Sequence, residues 1–275
     1  MDLRRLYIVA NAAKEGSLRA LAVLKAWCQL KEVEPILVEQ GPPPEFVGEG
    51  ALVVALGGDG TVLRAAAIFA ELGPPILGVN LGSLGFLTQV GAPSLTSTLE
   101  GVLQDQFSIE ERMRLSFAAG GEKGTVLNDV VISGVSPMRF CELDLDWSEG
   151  RVATYPGDGL IVATATGSTA YNLSAGGPVV VPPAEAIVVT PLDVHKLGLR
   201  SVVFPASEVL RVRVRTPAKL FGDGDLVSEL PPETEVTIER SPTPTRLIRM
   251  VNAPSFFDLL EGSLNWGDDR RRSGR

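Results

Sequence analysis

The chain has 275 residues, 45% of them hydrophobic and 21% charged, with a net charge of −8. That length suits one large or two moderate domains, and the balance is that of an ordinary soluble globular protein. The acidic charge excludes broad nucleic-acid binding, which needs a basic surface, but not a small anionic ligand in a local pocket.

Leu6-Tyr7-Ile8-Val9 predicts a first strand that ends at Asn11. Gly16-Ser17 then caps a helix from about Leu18 to Leu30, with Leu18, Leu21, Ala22 and Cys28 near one face. Ile36-Leu37-Val38 is a second strand, and Gly41-Pro42-Pro43-Pro44 marks a loop. The apolar run Leu52 to Leu56 stops at Gly57-Gly58-Asp59-Gly60-Thr61, and a helix follows as far as Gly73-Pro74-Pro75. Ile76 to Val79 is another buried strand. Strands alternating with helices over roughly the first 100 residues predict an α/β layer with a parallel sheet. Ligands in such sheets sit beyond the carboxyl ends of the strands, where Asn11, Asp59 and Asn80 fall.

Near Arg114 helical periodicity fades, and short strands separated by Gly, Pro, Asp and Ser take over. Leu210 to Arg215 alternates strictly, so its arginines are expected on a solvated sheet face. Residues 115–250 therefore read as a β-rich second domain, after an α/β domain over 1–114. The remainder, 251–275, reads as a helix around Phe256 to Leu260, then Leu264-Asn265-Trp266-Gly267 and a frayed tail.

Cys28 and Cys141 have no metal-ligand or redox spacing and are expected as buried, reduced thiols of a cytoplasmic protein. No signal peptide is expected, because the sequence runs directly into a strand pattern. The uncharged stretches Leu72 to Leu99 and Gly159 to Ala184 are broken by glycines, prolines and hydroxyl residues, so neither predicts a membrane span.

A strand, a glycine turn and a helix start leave backbone N–H groups free for phosphate, with the helix dipole favouring the negative charge. Asp59 repels phosphate, so its place there suits a cation or a hydroxyl that must lose a proton. The same pattern also suits a tight turn with Asp59 as a helix cap. Asn128-Asp129, at the head of an apolar strand, can grip ribose hydroxyls, or can open a hairpin as a turn. Gly157 to Pro178 joins a buried strand to a long run of small and hydroxyl residues. Thr169, Asn172 and Ser174 could bond a base or ribose and Tyr171 could stack; the length of the run favours a ligand over a structural loop. Neither a G-x-x-x-x-G-K-[ST] loop nor a G-x-G-x-x-G fingerprint is present, and His195, the single histidine, excludes a His-based triad or a His-rich metal site.

Together, Gly57 to Thr61, Asn128-Asp129, Asp158 to Pro178 and Phe256 to Gly267 resemble the NAD kinase family in order and spacing, across nearly the whole chain. The Gly-Gly-Asp-Gly turn alone is shared with lipid kinases and, more loosely, phosphofructokinases; the Thr-Gly-Ser-Thr-Ala-Tyr run is far more specific. The resemblance implies an α/β N-terminal domain, a β-rich, sandwich-like C-terminal domain, a last helix returning to the first, and an active site between the two. It implies transfer of the terminal phosphoryl group of ATP to the 2′-hydroxyl of the adenosine ribose of NAD+, with Mg2+ carried by ATP and no metal held by the protein alone. Asp59 is the implied proton acceptor, with Gly58 and Gly60 at the phosphates. Asn128, Asp129, Asp158, Thr169, Ala170, Tyr171, Asn172, Leu173 and Ser174 are implied dinucleotide contacts. Arg64 and Arg139 match positions where a polar or basic residue meets phosphate or ribose, and Asp225 stands where many members have Gln. Asp129 in place of Glu shortens the reach, and Ala165 replaces a common Pro. A homo-oligomer, dimer or tetramer, is also implied. Rival readings are a lipid kinase of the same superfamily, for which no apolar acceptor groove is evident, and a non-catalytic NADP(H) sensor, which would have no use for Asp59.

Overall fold

The computed structural model describes residues 1–38, 49–69, 71–135, 140–194, 196 and 198–264. The Gly41-Pro42-Pro43-Pro44 loop, Arg139, His195, Asn265 to Gly267 and the tail 268–275 lie outside the described residues. The chain divides into two compact units, Met1–Glu110 with the described part of Arg246–Arg275, and Glu111–Thr245.

The first unit begins with β1 (Arg5–Ala10), α1 (Ser17–Lys31), β2 (Glu34–Leu37), β3 (Ala51–Gly57), α2 (Asp59–Ile68) and β4 (Ile76–Asn80). A two-residue β5 (Val90–Gly91), α3 (Leu95–Leu103) and β6 (Phe107–Arg112) follow. In the second unit come β7 (Leu115–Ala119), β8 (Glu122–Val126), β9 (Asp129–Gly134), β10 (Cys141–Trp147), β11 (Gly150–Gly157), β12 (Gly159–Thr164) and a short α4 (Tyr171–Ser174). Then come β13 (Ala186–Leu192), β14 (Val202–Pro205), β15 (Leu210–Val214), β16 (Ala218–Gly222), β17 (Asp225–Leu230) and β18 (Glu235–Arg240). The described residues end with β19 (Thr245–Met250) and α5 (Phe256–Leu264).

The first sheet runs β2-β1-β3-β4-β19-β6, with β5 beside β4, and its pairs β1–β2, β1–β3, β3–β4 and β4–β19 are parallel. Every residue of β3 is buried, as a parallel strand covered on both faces must be. Leu52, Val54 and Leu56 share a core with Leu24, Trp27 and Cys28 of α1 and Leu95, Leu99 and Val102 of α3. Each such fully buried aliphatic side chain contributes about 1.5–3 kcal/mol. The strand β19 falls in this sheet, whereas the texture of its sequence groups it with the β-rich stretch.

The face of α1 also differs from expectation. Ser17, Ala20, Leu24, Trp27 and Cys28 are buried, steps of three and four residues, while Leu18 is 78% exposed and Ala22 lies on the solvent side. Trp27 fixes this rotation, because its indole N–H donates to Glu100 Oε1 at 2.9 Å and ties α1 to α3. Gly16, at φ 80°, precedes the helix, and no side chain caps it.

The second unit is a sandwich of two antiparallel six-stranded sheets, β11-β10-β15-β18-β7-β8 and β14-β13-β12-β9-β16-β17. Leu143, Leu145, Val212, Val214 and Ile238 of one meet Val130, Ile132, Leu160, Val162, Ile187 and Leu220 of the other in a shared core. The alternation at Leu210 to Val214 is realised as expected, with Leu210, Val212 and Val214 inside and Arg211 and Arg213 outside. On the outer face of the second sheet, Val131, Ile161, Ala163 and Val188 pack with Ala175 and Val180 of the small-residue loop. No described helix is long and apolar enough to cross a membrane.

Candidate functional site

In the first unit, β1, β3 and β4 end in register, with Ala10 beside Leu56 and Gly57 beside Asn80. Asn11, Gly57-Gly58-Asp59 and Asn80 therefore meet at one sheet edge. Gly58 is extended at the N-terminus of α2, and no side chain caps that terminus. Asp59 is not a helix cap. Its carboxylate reaches 27 to 29 residues onward, accepting Phe86 N at 2.8 Å on Oδ2 and Leu87 N at 3.1 Å, Thr88 N at 3.1 Å and Thr88 Oγ1 at 3.0 Å on Oδ1. Gly85 makes this approach possible, since a Cβ there would stand 2.2 Å from Asp59 Oδ1.

Two cations flank the turn. Lys14 Nζ donates to the Gly57 carbonyl at 3.1 Å and lies 3.0 Å from where a Cβ on Gly58 would be. Arg64 donates to the Ala10 carbonyl, which ties α2 to the end of β1. Phe256 of α5 packs on Phe86, ring centroids 6.1 Å apart, against the segment that holds Asp59.

In the second unit, Asn128, Asp129, Ala170, Tyr171, Asp223 and Gly224 line one cavity of about 440 Å³, floored by Val131, Leu192 and Phe221. The Asp223 carboxylate accepts the backbone N–H groups of Leu127, Asn128 and Asp129 at 2.8, 2.7 and 3.2 Å, which fixes the head of β9. Thr164 Oγ1 holds the same head by donating to the Leu127 carbonyl at 2.6 Å. Asp129 is 5% exposed; burial first, and the Asp223 charge second, push its carboxyl up to about 7. Asp223 is also raised by burial, against the pull of its three backbone donors and the Arg114 cation.

The structure thus gathers Gly58, Asp59, Gly60 and Arg64 at one turn, and Asn128, Asp129, Ala170 and Tyr171 at one cavity. Asn172 is held from within the fold. Its Nδ2 donates to the Ser168 and Pro178 carbonyls at 2.9 and 3.0 Å and its Oδ1 accepts Thr190 Oγ1 at 2.6 Å, so the side chain is spent inside the fold. Gly177 packs so closely that a Cβ there would lie 2.0 Å from Asn172 Oδ1. Thr169 bonds the Thr166 carbonyl at 3.3 Å, and Asp158, Thr169, Leu173 and Ser174 do not line the cavity. Asp225 is exposed in β17; its neighbour Asp223 faces the cavity instead. Asp223, Lys14 and Thr88 also stand at these sites, beyond the residues expected from the sequence. A third Gly-Asp-Gly at 222–224 was the one visible signal for Asp223; nothing local marks the other two. Among the described residues no cluster of three His, Cys, Asp or Glu side chains is placed to hold a metal ion.

Residues 8–107 match the ATP-NAD kinase N-terminal domain family, and residues 127–250 match the ATP-NAD kinase C-terminal domain family. An NAD kinase of Moorella thermoacetica is 40% identical over 240 residues, covering 85% of this chain and 77% of that protein. An NAD kinase of Syntrophobacter fumaroxidans is 35% identical over 283 residues, covering 96% of this chain and 99% of that protein. Among solved structures, an NAD kinase from Archaeoglobus fulgidus in complex with ATP is 26% identical with a TM-score of 0.76, covering 90% of this chain and 93% of that one. Yeast NADH kinase complexed with NADH shares the fold, with a TM-score of 0.86 at 23% identity over 98% of this chain and 89% of that one.

Proposed function

The chain belongs to the NAD kinase family, and from that premise we propose a division of labour between its two units. The reaction is phosphoryl transfer to NAD. The acceptor is the 2′-hydroxyl of the adenosine ribose: its oxygen bonds to the terminal phosphorus of ATP as the β–γ bridging bond breaks, and ADP leaves with that electron pair. The ribose proton goes to Asp59. The observation that carries this reading is the bonding of the Asp59 carboxylate, in which Oδ1 accepts three hydrogen bonds and Oδ2 one. A carboxylate oxygen has about two lone-pair sites, so Oδ2 keeps room for the proton. In a loose phosphoryl-transfer transition state that proton moves late, and holding the acceptor in place matters more than its basicity.

The uncapped N-terminus of α2, the Gly57–Gly60 backbone and Lys14 support phosphate binding at the turn. Asn128 and Asp129 are assigned to ribose hydroxyls in the second unit's cavity, and Tyr171, 49% exposed at its wall, to a base. Donors near the turn are mostly backbone N–H groups, which fit phosphate, not a metal cage, so Mg2+ is assigned to the triphosphate. Bound there, it supplies charge neutralisation on the transferred group. The two buried, free thiols support a reducing, cytoplasmic setting. Exposed Val203 and Leu226 on the edge strands β14 and β17 support assembly as a dimer or tetramer.

The test is NADP+ formation by purified protein with NAD+, ATP and Mg2+, run beside Asp59→Asn. Turnover is expected to fall by about 10²–10⁴-fold in the variant while NAD+ still binds. Near-normal turnover would remove Asp59 from the proton transfer.

A further inference from the structure

Thr88 is wholly buried, with 0% exposure, and its hydroxyl makes three hydrogen bonds. It accepts Asn80 Nδ2 at 2.8 Å and Gly85 N at 3.1 Å, and it meets Asp59 Oδ1 at 3.0 Å. A hydroxyl has one proton and two lone pairs. The Gly85 N–H can only donate. The orientation of Asn80 is fixed in turn, because its Oδ1 accepts Gly82 N at 2.6 Å and so its NH2 must face Thr88. Both lone pairs of Thr88 are therefore taken, and its single proton has one place to go, Asp59 Oδ1. Asn80 is itself 3% exposed, so water does not compete along this chain.

We propose that Thr88, oriented by Asn80, is a positioning residue that fills Asp59 Oδ1 with donors and thereby makes Oδ2 the oxygen that receives the ribose proton. The polarity runs one way, from Gly82 N–H through Asn80 and Thr88 to Asp59. With Leu87 N and Thr88 N also on Oδ1, that oxygen is oversupplied, and Oδ2 carries the Phe86 bond alone. The backbone bonds hold both oxygens against the 85–88 segment, and the hydroxyl adds the one side-chain donor on Oδ1. This inference rests on Asp59 as proton acceptor, and the experiment separates the two.

Steady-state kinetics with NAD+, ATP and Mg2+ would compare wild type with Thr88→Val, Thr88→Ser and Asn80→Asp. Val keeps the shape and removes the hydroxyl, and is expected to lower kcat about 10- to 100-fold while both KM values stay within about threefold. Ser restores the donor and is expected to return kcat to within about threefold of wild type. Asn80→Asp sets an acceptor against Thr88, turns its proton away from Asp59 and is expected to lower kcat as Val does. Should Val fail to fold, the contrast between Ser and Asp variants decides the question. Wild-type kcat in Thr88→Val or in Asn80→Asp, or a Ser variant as slow as either, overturns the inference. An inactive Asp59→Asn beside such a result leaves Asp59 in its role; an active Asp59→Asn fails the underlying reading instead.

Discussion

Asp59 and Asp129 are the same residue handled in opposite ways. Asp59 stands beyond the carboxyl end of an interior strand of a parallel sheet, and four donors from Phe86 to Thr88 converge on it. Asp129 sits at the head of a strand inside a sandwich, buried, with a second carboxylate, Asp223, for company. Around Asp59 the fold controls direction; around Asp129 it controls proton occupancy. A carboxyl pushed up to about 7 can donate a hydrogen bond as well as accept one near neutral pH, which suits recognition of hydroxyls better than chemistry on them. The contrast teaches that residue identity within a site tells less than the donors and charges arrayed against it.

After the loss of Asp59 itself, the sharpest way to break the contrast is to disturb the direction of its carboxylate. Gly85→Ala would place a Cβ between 2.2 and 2.5 Å from three atoms of that carboxylate. A displacement on that scale is expected to cost about 100-fold in turnover, with NAD+ affinity in equilibrium titration unchanged; unchanged turnover would mean the segment yields without moving Asp59. For Asp129 the effect is smaller and falls on stability. A carboxyl raised from 3.8 to about 7 by folding contributes no penalty below about pH 4, and costs progressively more as pH rises through about 7. Asp129→Asn is thus expected to melt a few degrees higher than wild type at pH 8, with the gap closing toward pH 4. A gap that ignores pH would assign the effect to packing. Smallest of all is Asp225→Ala, expected to leave kcat/KM within about twofold, as befits an exposed surface substitution; a tenfold loss would return Asp225 to the site.

The strand–turn–helix at Gly57 to Thr61 and the alternating strand at Leu210 were legible because each is written in consecutive residues. So was the family, whose motifs extend along most of the chain. The rotation of α1 was not, because Leu18 and Leu24 are equally apolar and the buried face is set by distant partners, the core around Leu24 and the bond of Trp27 to Glu100. Nor was the bonding of Asp59, whose partners lie in another loop and use backbone N–H groups that every residue carries. Nor were the internal bonds of Asn172 to Ser168, Pro178 and Thr190, because a loop rich in amides and hydroxyls does not show in its composition which of them pair with one another. Asp223 and Asp225 are two residues apart, and what separates them is a backbone turn, with Asp223 at φ 47° and a bulge in the preceding strand at Leu220/Phe221.

The position of β19 has a consequence for the order in which the protein can be made. This strand lies between β4 and β6, yet it is translated after all twelve strands of the sandwich. A nascent chain therefore releases a complete second unit while the first sheet still has an unfilled slot between β4 and its edge strand β6, and domains generally fold as units during synthesis. The unit that carries Asp59 begins first and finishes last. Ribosome-bound intermediates arrested just before Thr245 should hold a protease-resistant sandwich beside an N-terminal segment that is still readily cut.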